Sequence, residues 1–264
     1  MRSTRRKIPS TWRLSQAVLQ HAGIRQAARG RSDSGRSEGE AGRGLADEHH
    51  CQVELVAAGA AGRDELELFV RDIFMRQHGA EVRHFLPYLM GLRNEGTLCA
   101  VLGFGPAGAG EMFLEQYLEQ PMEQVLAAAL QRPVLRQGVM EVGNLAVSSA
   151  GGARSLITAL TAYLRGAGHE WAVFTSGRGL QNSFSRMGID LYALAPALPE
   201  RLRDGAAHWG RYYDQHPLVC AAEVAQSHAA LQQRMQRGPS APLQDSVWRR
   251  AFAAGHGMRM GQAA

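Results

Sequence analysis

The chain is 264 residues long, 45% hydrophobic and formally +5 at pH 7, which is enough material for one sizeable buried core and too apolar for a wholly unfolded chain. The charge is not spread evenly: residues 1–50 hold nine arginines and Lys7 against Asp33, Glu38, Glu40, Asp47 and Glu48, so the excess belongs to this segment and the remainder is neutral. A basic tail on a neutral body argues against a nucleic-acid-binding domain, and no run of about eighteen apolar residues offers a membrane span.

In chain order, residues 1–50 come first, rich in Arg, Ser, Gly and Gln and poor in large apolar side chains. They read as a disordered basic extension, with an amphipathic helix over Thr11 to Ala28 as the alternative and only peripheral membrane contact open to it. The basic start runs into no continuous apolar core, so no secretory leader is expected. Cys51, Cys99 and Cys220 show no CxxC spacing, which fits reduced thiols in a cytoplasmic protein. His49, His50 and Cys51 are adjacent and cannot all face one ion from a strand, so no metal is expected.

Residues 51–226 read as the folded domain and 227–264 as a C-terminal helix with a frayed tail. Gln52 to Val56 alternates as a strand, and Arg63 to His78 carries Leu66, Phe69, Val70, Ile73 and Phe74 on one helical stripe. Leu86 to Leu92 and Leu98 to Phe104 are apolar runs joined through Arg93-Asn94-Glu95-Gly96-Thr97, an antiparallel hairpin. Met112 to Gln131 is helical in pattern but interrupted by Pro121, predicting two short helices. Val139 to Val147 is a strand, Arg154 to Leu164 a helix, and Trp171 to Thr175 a parallel strand reached by that crossover. A short helix follows from Gly179 to Met187, stopping at Gly188. Strands are expected at Leu191 to Ala195 and Leu218 to Val224, then helix to Arg237 and fraying beyond it.

The densest chemical signal is the passage from Val139–Val147 through Ser148-Ser149-Ala150-Gly151-Gly152-Ala153 into a helix. A strand that empties through glycines into a helix N-terminus collects backbone N–H groups and the positive end of the helix dipole at one point, a site suited to a phosphate or pyrophosphate. An ordinary strand-to-helix turn with no ligand is the plainer account.

The order of these elements resembles that of the GNAT acyltransferase superfamily. Four blocks are similar to the thermostable haemolysin family: His84-Phe85-Leu86-Pro87-Tyr88-Leu89, Phe113-Leu114-Glu115-Gln116-Tyr117-Leu118, Glu141-Val142-Gly143-Asn144-Leu145-Ala146, and Trp209-Gly210-Arg211-Tyr212-Tyr213. That family also looks like the acyl-homoserine-lactone and N-acyl amino acid synthases within the wider group. The resemblance implies an α/β fold with a central mixed sheet flanked by helices. It also implies an N-acyltransferase that moves an acyl group from a thioester of coenzyme A or acyl carrier protein to an amine. Those are its expected partners. No permanently bound cofactor is implied, since the thioester is a co-substrate.

Carried onto this chain, the resemblance implies a carrier site at Val147, Gly151, Gly152, Ala153, Arg154 and Asn182. Ser148 replaces the long polar residue that opens the GNAT phosphate loop, and Phe184 stands where a tyrosine would protonate the departing thiolate. Glu141 is the candidate general base, in an apolar strand where desolvation raises a carboxyl pKa; a solvated or arginine-paired carboxylate is the bland alternative. Gly143 suggests a bulge that re-aims Glu141 and Asn144 to one side, Asn144 being the second candidate catalytic residue. Glu115, Gln116 and Tyr117 are candidates for reading the amine, or else a solvated helix face with Tyr117 turned inward. Arg178 and Arg211 are candidates for an anionic acceptor or carrier surface, or else plain surface arginines; Tyr212 and Tyr213 read as capping the sheet, with a Tyr212 phenol in the cleft as the alternative. The competing classes are a membrane-active haemolysin without catalysis and a degenerate GNAT-fold binding module.

Overall fold

The computed structural model describes residues 51–148, 151–236 and 241–262; the basic segment 1–50, expected to be unstructured, lies outside the described residues. Seven strands, β1 (Cys51–Ala57), β2 (Tyr88–Asn94), β3 (Thr97–Pro106), β4 (Val139–Val147), β5 (Trp171–Ser176), β6 (Tyr192–Pro196) and β7 (Leu218–Glu223), form one sheet in the order β1-β2-β3-β4-β5-β7-β6. The pairing of β4 with β5 is parallel and the other pairings are antiparallel. This mixed sheet with helices on it is a GNAT-like α/β fold.

Local chemistry accounts for most of the elements. The β2–β3 turn uses Glu95 and Gly96, both at positive φ (50° and 79°), the conformation that matches hairpin twist. Helix α1 (Arg63–His78) buries Leu66, Val70, Ile73 and Phe74 and ends at Gly79, whose left-handed backbone lets its N–H reach the carbonyls of Met75 and Phe74. Pro121 does interrupt the 112–131 segment: a 3₁₀ turn at Phe113–Tyr117 precedes helix α2 (Met122–Leu130).

Helix α3 (Gly152–Ala167) provides the crossover between the parallel strands and buries residues around much of its circumference, Leu156 to Leu164 almost without a break. The second cover is a helix the sequence reading does not anticipate. Fraying is expected beyond Arg237, yet after α5 (Val224–Gln236) the chain forms α6 (Ala241–Gln262). Its amphipathic signal is weakened by Gly255 and Gly257, but glycine is what the crossing requires. A Cβ on Gly166 of α3 would collide with the Phe252 carbonyl of α6, and one on Gly255 would collide with the Tyr163 carbonyl. Backbones approach this closely only where side chains are missing.

Helix α4 (Arg178–Arg186) follows β5 and packs Leu180 and Phe184 into the core, with the Phe184 ring stacked 4.9 Å from that of Phe174. No helix among the described residues is long and apolar enough to cross a membrane, and no group of metal-ligating side chains occurs among them.

Candidate functional site

The parallel ladder between β4 and β5 runs only from Val139↔Trp171 to Val142↔Phe174, although the strands continue to Val147 and Ser176. Beyond Val142 they part. The bulge sits at the same place: between the pairs Val101↔Ala146 and Gly103↔Gly143, the single residue Leu102 of β3 faces two of β4, Asn144 and Leu145. Its strained residue is Asn144, at φ 56°, and not Gly143, which keeps ordinary strand backbone. The Asn144 side chain spans to the segment before β2, donating to the His84 carbonyl (3.3 Å) and accepting from the Leu86 N–H (3.5 Å). A left-handed asparagine needs such bracing to persist.

Two cavities meet at this parting. The larger, about 480 Å³, is lined by His84 to Pro87, Glu111 to Leu114, Gln116, Tyr117, Glu141, Asn144, Thr175, Trp209 and Tyr212. The smaller, about 50 Å³, lies on the α3 side, among Leu102, Leu145, Leu160, Phe174, Phe184 and Ala222. Val142, Gly143 and Thr175 line both.

Glu141 lies at the floor of the larger cavity, 3% exposed. Its two carboxylate oxygens accept hydrogen bonds from the backbone N–H groups of Phe113 (3.0 Å) and Leu114 (2.8 Å). Burial dominates and pushes its pKa up to about 7; the two N–H donors pull the other way, and the Glu115 carboxylate adds to the rise. A buried acid held at the edge of neutrality in a cleft can both take and hold a proton at physiological pH.

Aromatic side chains make the walls. Trp209 lies 6.0 Å from Phe113 and 5.4 Å from Tyr212, centroid to centroid. Tyr212 shares a hydrogen bond with Thr175 (3.1 Å), and Tyr117 with Tyr213 (2.6 Å). Burial raises the pKa of all three phenols, that of Tyr212 to about 12, so they stay neutral donors at physiological pH.

The structure gathers Glu141, Asn144, Gln116, Tyr117 and Tyr212 around this cavity and leaves other candidates elsewhere. Glu115 turns away from it: its oxygens accept from the Met112 and Met122 N–H groups and pair with Arg136 at 2.6 and 2.9 Å. The reason lies in the turn that breaks the expected helix, which places Glu115 and Tyr117 on different sides. Val147, Gly151, Gly152, Ala153 and Arg154 sit at the β4–α3 junction, away from the lining of either cavity. Of the two glycines there, Gly152 is the close contact, since a Cβ on it would come 2.9 Å from that of Ala100, whereas one on Gly151 meets nothing within 4 Å. Asn182 is buried within α4, with no hydrogen-bond partner for either amide atom, and lines neither cavity. Arg178 begins α4 and Arg211 is exposed on the 209–215 segment.

Sequence reading does not single out Glu111, Phe113, Thr175, Arg203 or Trp209 as lining residues. Phe113 and Trp209 do belong to the similar blocks, whereas the 203–204 segment carries no pattern of its own.

Comparison with solved structures finds the same architecture. The acyl-homoserine-lactone synthase LasI aligns with a TM-score of 0.51 at 14% identity, over 70% of this chain and 96% of that one. FeeM, an N-acyl amino acid synthase from uncultured soil microbes, aligns at 0.49 and 17% identity, over 72% and 100%. BjaI, a coenzyme A-dependent acyl-homoserine lactone synthase solved with SAM and isopentyl-CoA, aligns at 0.47 and 13%, over 75% and 98%. At these identities the likeness is one of fold. No curated protein matches the chain. The thermostable hemolysin family matches residues 56–228, which takes in every strand after β1 and the whole cavity; the chain belongs to that family.

Proposed function

We propose that this protein is an N-acyltransferase that moves an acyl group, longer than acetyl, from a coenzyme A or acyl-carrier-protein thioester to an amine. The observation that carries the reading is the placement of Glu141: a carboxyl buried at the point where two parallel strands part, facing a cavity and poised to ionise near pH 7. Parted strands leave backbone groups of Gly143 and Thr175 to pair with a pantetheine arm, and the apolar crevice behind them takes the start of an acyl chain.

In this reading the amine enters the larger cavity and Glu141 accepts a proton from its ammonium form. The nitrogen lone pair then attacks the thioester carbonyl and a C–N bond forms; the C–S bond breaks, the thiolate leaves with the bonding pair, and the surplus proton on nitrogen passes to that thiolate. Phe184, buried against Phe174, has no proton to give, so the thiolate departs on its own low basicity; the Tyr212 phenol, held up at about 12, is too weak an acid to protonate it. Asn144 holds the 84–86 segment over the cavity and fixes its shape. The first-turn N–H groups of α3, with Val147, Gly151, Gly152, Ala153 and Arg154 around them, are offered for the carrier's phosphate. Arg178, exposed at the start of α4, is offered as a further carrier contact, while Asn182 stays buried behind it, and Gln116, Tyr117 and Tyr212 line the acceptor side. The reaction is placed in the cytoplasm, where acyl thioesters are made.

The family's name favours a second reading, direct lysis of membranes. Acylation gives a simpler source of lysis, because a long-chain N-acyl amine is a surfactant. Mass spectrometry of lipids from cells expressing the protein beside cells expressing Glu141→Gln tests the first reading: acyl-amine species should appear only with the former. Prompt dye release from liposomes of defined composition by purified protein alone would replace it with the second.

A further inference from the structure

The charges around the larger cavity are unequal. Among the described residues, its carboxylates are Glu111, Glu141 and Asp204, and its only arginine or lysine is Arg203. That guanidinium is already taken: Nη1 donates to one Glu111 oxygen at 2.9 Å and Nη2 to the other. His84 directs its Nε2 at Asp204, 3.0 Å away. Every cationic or potentially cationic side chain of the lining is therefore engaged by a carboxylate of the same lining.

An anionic group on a ligand meets no unpaired cationic side chain among the described residues of the lining. It would compete with Glu111 for Arg203 in an exposed pair and leave that carboxylate beside it, a like charge on the same rim. An ammonium meets the opposite conditions, with the rings of Phe113, Trp209 and Tyr212 in the lining and Glu141 at the floor. Resting on the acyltransferase reading above, we infer that the acceptor is a cationic amine without a carboxylate, an aryl- or alkyl-amine and not an α-amino acid.

Matched probes test the charge preference without any thioester. Tyramine and tyrosine share a ring and an amine and differ in the carboxylate, and their binding is measurable by calorimetry and by the fluorescence of Trp209 against a Trp209→Phe control. Tyramine should bind at least about tenfold more tightly; a smaller preference, the reverse order, or binding of neither overturns the inference. Glu111→Gln releases Arg203 and should raise the affinity for tyrosine about tenfold while leaving tyramine within about threefold. An unchanged tyrosine affinity in that variant also overturns it. The two levels of the argument separate cleanly: tyramine that binds as expected but is never acylated in the presence of octanoyl-coenzyme A removes the acyltransferase reading and leaves the charge preference standing.

Discussion

Arg136 grips Glu115 with both Nη atoms, at 2.6 and 2.9 Å, and so closes the 112–122 turn from outside the cavity. Glu115 is nearly enclosed and passes that grip to the N–H groups of Met112 and Met122. The same turn aims the N–H groups of Phe113 and Leu114 at Glu141. An ion pair on one side of the turn therefore sets the geometry of the buried acid on the other.

Arg136→Met should consequently do more than destabilise. Breaking one side of a largely buried pair costs about 3 kcal/mol, which denaturant unfolding will read. The specific readout is at the amides: in the native protein the Phe113 and Leu114 N–H resonances should shift as Glu141 ionises near pH 7, and in the variant that response should fall by more than half. A variant of lowered stability with both responses intact would leave the pair a structural role only.

Glu141 also links folding to pH. Its folded pKa is raised from 4.5 to about 7, so the stability it contributes is fully present below about pH 4 and is lost as pH rises to about 7. The loss over that window is on the order of 3 kcal/mol. Glu141→Gln has nothing to titrate, and its stability relative to the native protein should improve steadily from pH 4 to pH 7. Parallel stability curves for the two proteins across this range would show that the carboxyl is not held as described. Turnover, under the proposed function, should rise with pH through the same midpoint and be lost in the variant.

The two glycines opening α3 should behave differently. Gly152→Val pushes a branched side chain into Ala100, and overpacking of this kind costs about 1–3 kcal/mol. Gly151→Val enters open space, so its melting temperature should stay close to native. If this junction receives a carrier phosphate, Gly151→Val should still weaken carrier binding, measured by calorimetry. Unimpaired carrier binding would remove the junction from the proposed site.

At the α3–α6 crossing, Gly255→Leu cannot be accommodated without separating the helices, because even a methyl group reaches the Tyr163 carbonyl. It should cost several kcal/mol or release α6 outright, detectable as faster hydrogen exchange over residues 241–262. Unchanged protection there would place the crossing elsewhere.

Much of this arrangement is legible in the sequence. The alternation of β4, the single-helix distance to β5 and the glycine-bearing turn between them specify the parallel pair, because such a connection has few other outcomes. The burial of Glu141 follows from its apolar neighbours. What escapes is whatever depends on distant segments meeting. Glu115 looks like a helix-face residue until the chain turns it onto Arg136, twenty-one positions on. The pairing of Glu111 with Arg203 joins two loops that neither periodicity nor composition connects. Helix α6 hides because the glycines that permit its contact are the residues that usually argue against a helix. The bulge was traceable to Gly143, but the residue that takes the strain is its neighbour Asn144, since a side chain able to bond two carbonyl and amide groups pays back what the glycine would have given freely.

Strand β7 is inserted between β5 and β6, although β6 precedes it in the chain. During synthesis, then, the outer edge of β5 waits with its N–H and C=O groups unpaired until Leu218–Glu223 emerges from the ribosome, and β6 has nothing to join before that moment. An incomplete chain that stops short of β7 carries the parallel pair at the heart of the sheet with one flank open, the form in which strands recruit the wrong neighbour. Its safety as a nascent protein rests on its last strand.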